Sequence, residues 1–184
     1  MLFLKLVRNL FTAFDTVNKT TFDSHALKLF AYQYEKNSIY RSYCNLINVD
    51  PSEVTDIKNI PFLPIQLFKT HNLNISKRPP KIRFTSSKTT GQTSSIHAIN
   101  DLNLYIKSFN KTFNYFYGDI ENYVLLALLP SYLERKGSSL VYMADYLIRK
   151  TKRLESGFYL NDWNALRKNI IELENKGQKT ILLG

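Results

Sequence analysis

The densest concentration of usable chemistry in the chain is Phe84-Thr85-Ser86-Ser87-Lys88-Thr89-Thr90-Gly91-Gln92-Thr93-Ser94-Ser95, where eight of twelve residues are Ser or Thr. Hydroxyls, backbone N–H groups, one cation and a glycine converge there, a combination suited to the oxygens of a polyphosphate. The spacing G-x-x-x-x-G-K-[ST] is missing, so the run is not a Walker A loop. Ser/Thr-rich turns are also ordinary solvated surface, and it is the surrounding charge that separates the two readings. From Ile57 to Asn100 there is no Asp or Glu, while Lys58, Lys69, Lys77, Arg78, Lys81, Arg83 and Lys88 fall inside. That stretch therefore carries +7 of the chain's net +10. The basicity is local and surrounds the hydroxyl run, which points to an anionic ligand.

Two other side chains invite a chemical reading. Cys44 is the sole cysteine, which rules out an internal disulfide and suits a reducing compartment. A thiol can serve acyl transfer, but Tyr40, Tyr43 and Leu46 give it an apolar, aromatic setting, so a buried structural thiol is expected. His97 is a candidate contact for a phosphate or acyl group, but a satisfied, partly buried His is the favoured expectation. The basic turn Lys77-Arg78-Pro79-Pro80-Lys81 and its nearby aromatics would suit single-stranded nucleic acid. Those aromatics keep helical core spacing and do not interleave with the cations, so no nucleic-acid partner is expected.

The length of 184 residues, with 44% hydrophobic content and twelve each of Tyr and Phe, describes a folded domain with a core. The apolar N-terminal run Met1–Phe11 is cut by Lys5 and Arg8, and no small-residue cleavage site follows. No apolar stretch approaches the length of a bilayer span. A cytoplasmic protein without a membrane span is expected.

The elements that would position the hydroxyl run follow from periodicity. Thr21 to Asn48 reads as helix, with Phe22, Leu27, Phe30, Ala31 and Tyr34 on one face and a second helix starting at Asn37 or Ser38 through Tyr40, Tyr43 and Leu46. Pro51 marks a plausible helix start. Pro61 and Pro64 keep the approach to the loop extended, and Ile82 and Phe84 predict a strand leading into it. Beyond the loop, Asn100 is the expected N-cap of a helix with Leu102, Tyr105 or Ile106, Phe109, Phe113 and Phe116 as its stripe and Gly118 as its stop. Tyr123–Leu129 is apolar on both faces and predicts an interior strand of a parallel sheet. Ser131–Gly137 is then the loop at its C-terminal end, where α/β folds place ligands.

A helix capped by Ser138 or Ser139 should turn Leu140, Met143 and Leu147 inward, with Arg149, Lys150, Lys152 and Arg153 as a solvated end. Gly157–Leu160 predicts a brief strand. Asp162 should cap a helix with Trp163, Leu166, Ile170 and Leu173 inward and Gly177 as its stop, and Thr180–Leu183 should form another buried strand. Alternating elements of this kind define an α/β fold.

Ser86-Ser87-Lys88-Thr89-Thr90-Gly91 resembles the phosphate loop of adenylate-forming enzymes. The blocks Ile60-Pro61-Phe62-Leu63-Pro64-Ile65-Gln66-Leu67-Phe68-Lys69-Thr70-His71 and Leu128-Leu129-Pro130-Ser131-Tyr132-Leu133-Glu134-Arg135-Lys136-Gly137-Ser138-Ser139-Leu140 resemble their LuxE-like acyl-protein synthetase branch. The similarity runs from about Phe22 to Gly184. It implies an N-terminal helical segment over 1–56, then over 57–184 the first part of an adenylate-forming α/β domain, with the phosphate loop at 84–95. The sheet would be mostly parallel, flanked by helices and truncated. By resemblance, the chain uses ATP and Mg to activate a carboxylic acid, a long-chain fatty acid in this branch, as an acyl-adenylate, and passes the acyl group to an acceptor protein. Ser86, Ser87, Thr89, Thr90 and Gly91 would hold the phosphates, with Lys88 and Thr93 beside them.

Departures from the family pattern set a second expectation. Lys88 stands where the family loop has Gly, and Ile96 where the branch often has a basic residue. The motifs for adenine and ribose, and the small domain with its lysine, would lie beyond Gly184, and Cys44 falls outside the region of an acyl-accepting cysteine. No catalytic residue can be named. The chain alone is expected not to complete adenylation without a missing C-terminal half. The alternative is a degenerate, non-catalytic binding or scaffold module of the same descent.

Overall fold

The computed structural model describes residues 17–86, 94–131 and 134–184. The chain divides into two compact units, residues 1–80 with 93–100 and residues 81–92 with 101–184.

In the first unit, α1 (Phe22–Lys36) gives way to α2 (Ser38–Leu46) at Asn37. Asn37 is extended at ψ 102°, and its side chain accepts from the Tyr40 N–H at 3.2 Å, the geometry of an N-cap. The two helices close on Phe30, Tyr40 and Cys44, with Tyr34, Tyr43, Val49, Val54, Ile60 and Leu63 packed around them. The Phe30 and Tyr40 rings meet edge to face at 6.1 Å. The Tyr40 hydroxyl donates to Pro61 O at 2.6 Å, which ties the proline segment to the helix pair. Burial, and then the neighbouring Cys44, push the Tyr40 pKa well above its ordinary value.

The inward stripe is shorter than its sequence pattern. Phe22 and Leu46 are exposed at the helix ends, which the small core does not reach, and Ala31 is exposed beside the buried Phe30. No helix starts at Pro51: Asp50 Oδ1 accepts from the N–H and hydroxyl of Ser52 at 2.8 and 2.7 Å and makes a turn instead. Residues 61–64 form no helix, as the prolines require, and the single-turn α3 (Leu67–Thr70) follows.

The second unit opens with β1 (Ile82–Thr85). A strand the sequence reading passed over, β2 (Ile96–Ile99), belongs to the first unit. Then come α4 (Leu102–Tyr117), β3 (Val124–Ala127), α5 (Ser139–Thr151), β4 (Gly157–Phe158), α6 (Trp163–Asn175) and β5 (Thr180–Leu183). The cap of α4 is Asp101, one residue later than expected. Its Oδ1 accepts from the N–H groups of Asn103 and Leu104 at 3.0 and 3.2 Å, while the Asn100 amide donates to Arg78 O. An ionised carboxylate also meets the positive end of the helix dipole, which an amide does not.

The three parallel strands run in the order β4-β3-β5. All four residues of β3 are buried. Its side chains alternate: Leu125 and Ala127 pack with Phe109, Ile120 and Leu147, whereas Val124 and Leu126 pack with Leu166 and Leu173 of α6. Helices thus cover both faces of the central strand, as a parallel sheet requires. The Leu125 N–H donates to Ser156 Oγ at 3.0 Å, and the buried Thr151 hydroxyl lies 2.8 Å from the same oxygen.

Four inward assignments fail at element ends. Phe116, Leu140 and Trp163 are exposed, and β5 is half-buried rather than buried, with Leu182 turned to solvent on the edge strand. Among the described residues, no helix is long and apolar enough to cross a membrane. We expect Leu126→Ala to destabilise the fold by ~2–5 kcal/mol and the half-exposed Leu182→Ala by less than about 1 kcal/mol. Urea denaturation midpoints measure the difference.

Candidate functional site

Strand β1 alternates like β3, with a different purpose. Phe84 is buried, its ring centroid 5.2 Å from that of Tyr105 and 5.7 Å from that of Tyr142, so Arg83 and Thr85 face outward. The aromatic anchor fixes the point at which the hydroxyl run begins.

That point is joined to the loop after β3. The Thr85 N–H donates to Gly137 O at 2.8 Å. Gly137 sits at φ +87°, and a Cβ built there would stand 3.3 Å from Thr85 Oγ1. Both features favour glycine: the backbone angle is unfavourable for L side chains, and the approach is tighter than ordinary contact. The loop leaves the sheet where the Leu128 N–H donates to Leu183 O at 2.7 Å, so it springs from the C-terminal ends of β3 and β5. It is tightened by the Ser131 N–H donating to Glu134 Oε2 at 2.6 Å and the Arg135 N–H to Ser131 O at 3.0 Å. Hydrogen bonds from Ser131 hold the Glu134 carboxyl below the usual carboxylate range. Ser138 caps α5 through the Val141 N–H, and the Tyr105 hydroxyl donates to Ser139 O at 3.1 Å.

Of the residues expected to hold phosphate, Ser86 follows β1 directly and is exposed. Ser87, Lys88, Thr89, Thr90, Gly91 and Thr93 lie outside the described residues. In the first unit, the Ser94 hydroxyl is buried without a hydrogen-bond partner among the described residues. His97 is exposed rather than partly buried; its ring packs edge-on against Phe68 at 5.6 Å, within the first unit.

Cys44 is fully buried, as its setting suggests, and burial pushes its thiol pKa up, the opposite of what a nucleophile needs. An open depression of about 530 Å³ beside α5 is lined by Tyr142, Asp145, Tyr146, Arg149 and Lys150. Its cations are engaged, Arg149 with Asp145 and Lys150 with Asn110, so this is the solvated face the sequence suggests. Among the described residues, no three His, Cys, Asp or Glu side chains gather where they could hold a metal ion.

Sequence reasoning placed the Ser131–Gly137 loop at a strand end but did not connect it to Thr85. The missing signal was Gly137. A glycine just before a helix-capping Ser reads as a generic turn residue until its neighbour across space is known.

A family model described as "Acyl-protein synthetase, LuxE" matches residues 9–125, which include the whole hydroxyl run and end inside β3. No curated protein and no solved structure matches the chain.

Gly137→Ala should cost more stability than Gly177→Ala, which has φ +62° but open space around it, for which strain of ~1 kcal/mol is expected. Adding Thr85→Ala to Gly137→Ala should recover part of the excess; equal costs at both glycines would show the contact is slack. Cys44 should react with a maleimide at least ~tenfold more slowly in the native chain than in urea, because modification requires local opening. Its raised pKa should keep the native rate low through pH 8.

Proposed function

The chain belongs to the LuxE acyl-protein synthetase family, and from that premise we propose that it activates a carboxylic acid, a long-chain fatty acid, with ATP and Mg. In this reading a carboxylate oxygen attacks the α-phosphorus and the bond from that phosphorus to the β-bridging oxygen breaks. Pyrophosphate leaves with the electron pair, and the product is an acyl-adenylate whose acyl group passes to an acceptor protein. Both reactants are anions, so the reaction needs charge neutralised where the pyrophosphate leaves. Ser86, Ser87, Thr89, Thr90 and Gly91 hold the β- and γ-phosphates, with Thr93 and Lys88 adjoining. The setting is the cytoplasm, which supplies ATP and keeps Cys44 reduced.

The observation that carries this reading is the 2.8 Å hydrogen bond from Thr85 N–H to Gly137 O. It starts a hydroxyl-rich, acid-free segment at the C-terminal end of a parallel sheet, where α/β folds gather their ligands. A second reading, a binding module without turnover, is favoured by Lys88 in the position of a family glycine.

The test is pyrophosphate release from the chain with ATP-Mg and palmitate, beside calorimetric titration of ATP-Mg. ATP-Mg binding that palmitate strengthens is expected, with little pyrophosphate release from these 184 residues alone, and Lys88→Gly should tighten ATP-Mg about tenfold if it relieves left-handed backbone strain. Binding that palmitate leaves unchanged would select the module reading. Absence of binding in both the native chain and Lys88→Gly would overturn nucleotide use.

A further inference from the structure

The first unit carries an apolar projection that its own core leaves uncovered. Ile60 and Leu63 pack against Phe30, Tyr40 and Cys44, and the Tyr40 hydroxyl donates to Pro61 O at 2.6 Å. Beside these anchors Phe62 is 84% exposed and Ile65 is 74% exposed. Isolated exposed hydrophobics are ordinary surface; this pair is set apart by its anchoring and by the charge around it. Lys58 and Lys69 are exposed on either side in sequence, Lys77 and Arg78 follow, and no Asp or Glu occurs from Ile57 to Asn100. The nearest preceding acid, Asp56, is turned to its own backbone, accepting from the Lys58 N–H at 2.8 Å. Lys69 lies one turn beyond Ile65, since the Phe68 N–H donates to Ile65 O at 3.1 Å and the Lys69 N–H to Gln66 O at 2.9 Å.

We propose that Phe62 and Ile65 form a wedge that docks this unit on an anionic lipid bilayer, the two apolar side chains entering the interface while Lys58 and Lys69 meet lipid phosphates. The two kinds of residue match the two layers of such a surface. Apolar side chains gain by leaving water at the acyl boundary, and nearby cations are drawn to the negative headgroups. The long Lys stems let the ammonium groups stay at headgroup level while the apolar tips go deeper. A folded protein is a poorer match, because a specific protein interface takes roughly 20–30 residues a side, and this projection is a few residues long. Pro61 and Pro64 restrict the backbone on either side of Phe62, which lowers the ordering cost of docking. Docking of this kind is peripheral and needs no spanning helix. It also needs neither ATP nor an acyl substrate, so it stands apart from the ligase reading.

Co-sedimentation of the full chain with vesicles of phosphatidylcholine alone, and of equimolar phosphatidylcholine and phosphatidylglycerol, tests this. The native chain should sediment with the mixed vesicles, about tenfold less with phosphatidylcholine alone, and less as salt rises. Phe62→Ser/Ile65→Ser should weaken binding to mixed vesicles about tenfold or more, and Lys58→Gln/Lys69→Gln about tenfold. Phe62→Leu keeps most of the apolar area and should stay within about threefold of native. The control Phe116→Ser/Leu154→Ser removes comparably exposed apolar side chains from the second unit and should stay within about twofold. Every substituted side chain is exposed, so urea midpoints should match native; if the serine pair nevertheless unfolds, the lysine pair carries the test. A native chain that stays in the supernatant with mixed vesicles overturns the inference, as does equal binding to both vesicle types. Binding that survives Phe62→Ser/Ile65→Ser, or that falls equally in the control, overturns it too. A dimer in sedimentation equilibrium that the serine pair dissolves, without vesicle binding, overturns it and gives the projection to a second copy of the chain.

Discussion

Burial of β3 on both faces is the constraint from which the rest of the second unit follows. A four-residue strand with no solvent-facing side chain must have its backbone satisfied by strands on each side and its side chains by helices above and below. The chain meets both demands: β4 and β5 flank it in parallel, with α6 against Val124 and Leu126 and α5 with α4 around Leu125 and Ala127. Parallel strands require crossovers, and crossovers gather the loops that leave the strands' C-terminal ends. The Ser131–Ser138 loop is placed where it is by this requirement before any of its residues makes a specific contact.

A second layer of order comes from aromatic rings. Phe84, Tyr105, Tyr142 and Phe109 form a connected set, and Tyr105 adds a hydroxyl that reaches Ser139 O. One cluster therefore fixes β1, α4 and the start of α5 with respect to one another. Such rings contribute large buried area at small cost in side-chain entropy. A basic, hydroxyl-rich segment has little apolar surface with which to hold itself, and here its entry point is held by the strand that precedes it.

How much of this was legible in the sequence depended on range. Caps that use the next few residues, such as Asp162 with Ala165 or Ser138 with Val141, were readable because their partners are local. The interior character of β3 was readable because an unbroken apolar run admits few other readings. The stripe ends failed for a geometric reason. Periodicity states which side of a helix is apolar but not how far the opposing surface extends, so Leu46, Phe116 and Trp163 carry the apolar pattern yet stay exposed. The Thr85–Gly137 contact joins residues 52 positions apart, and no local pattern encodes such a meeting. The loop's residue types were legible; the glycine that its first residues meet across space was not.

The bond from the Leu125 N–H to Ser156 Oγ has a consequence for behaviour in concentrated solution. Because a side chain satisfies that donor, β4 can end after two residues without leaving β3 exposed. A two-residue edge offers almost no template for another chain to extend, which is one way proteins blunt edge-to-edge aggregation. Among the described residues the opposite edge shows no such device: β5 presents four residues with Leu182 outward. Of these two strands, β5 is the longer template for strand addition between copies.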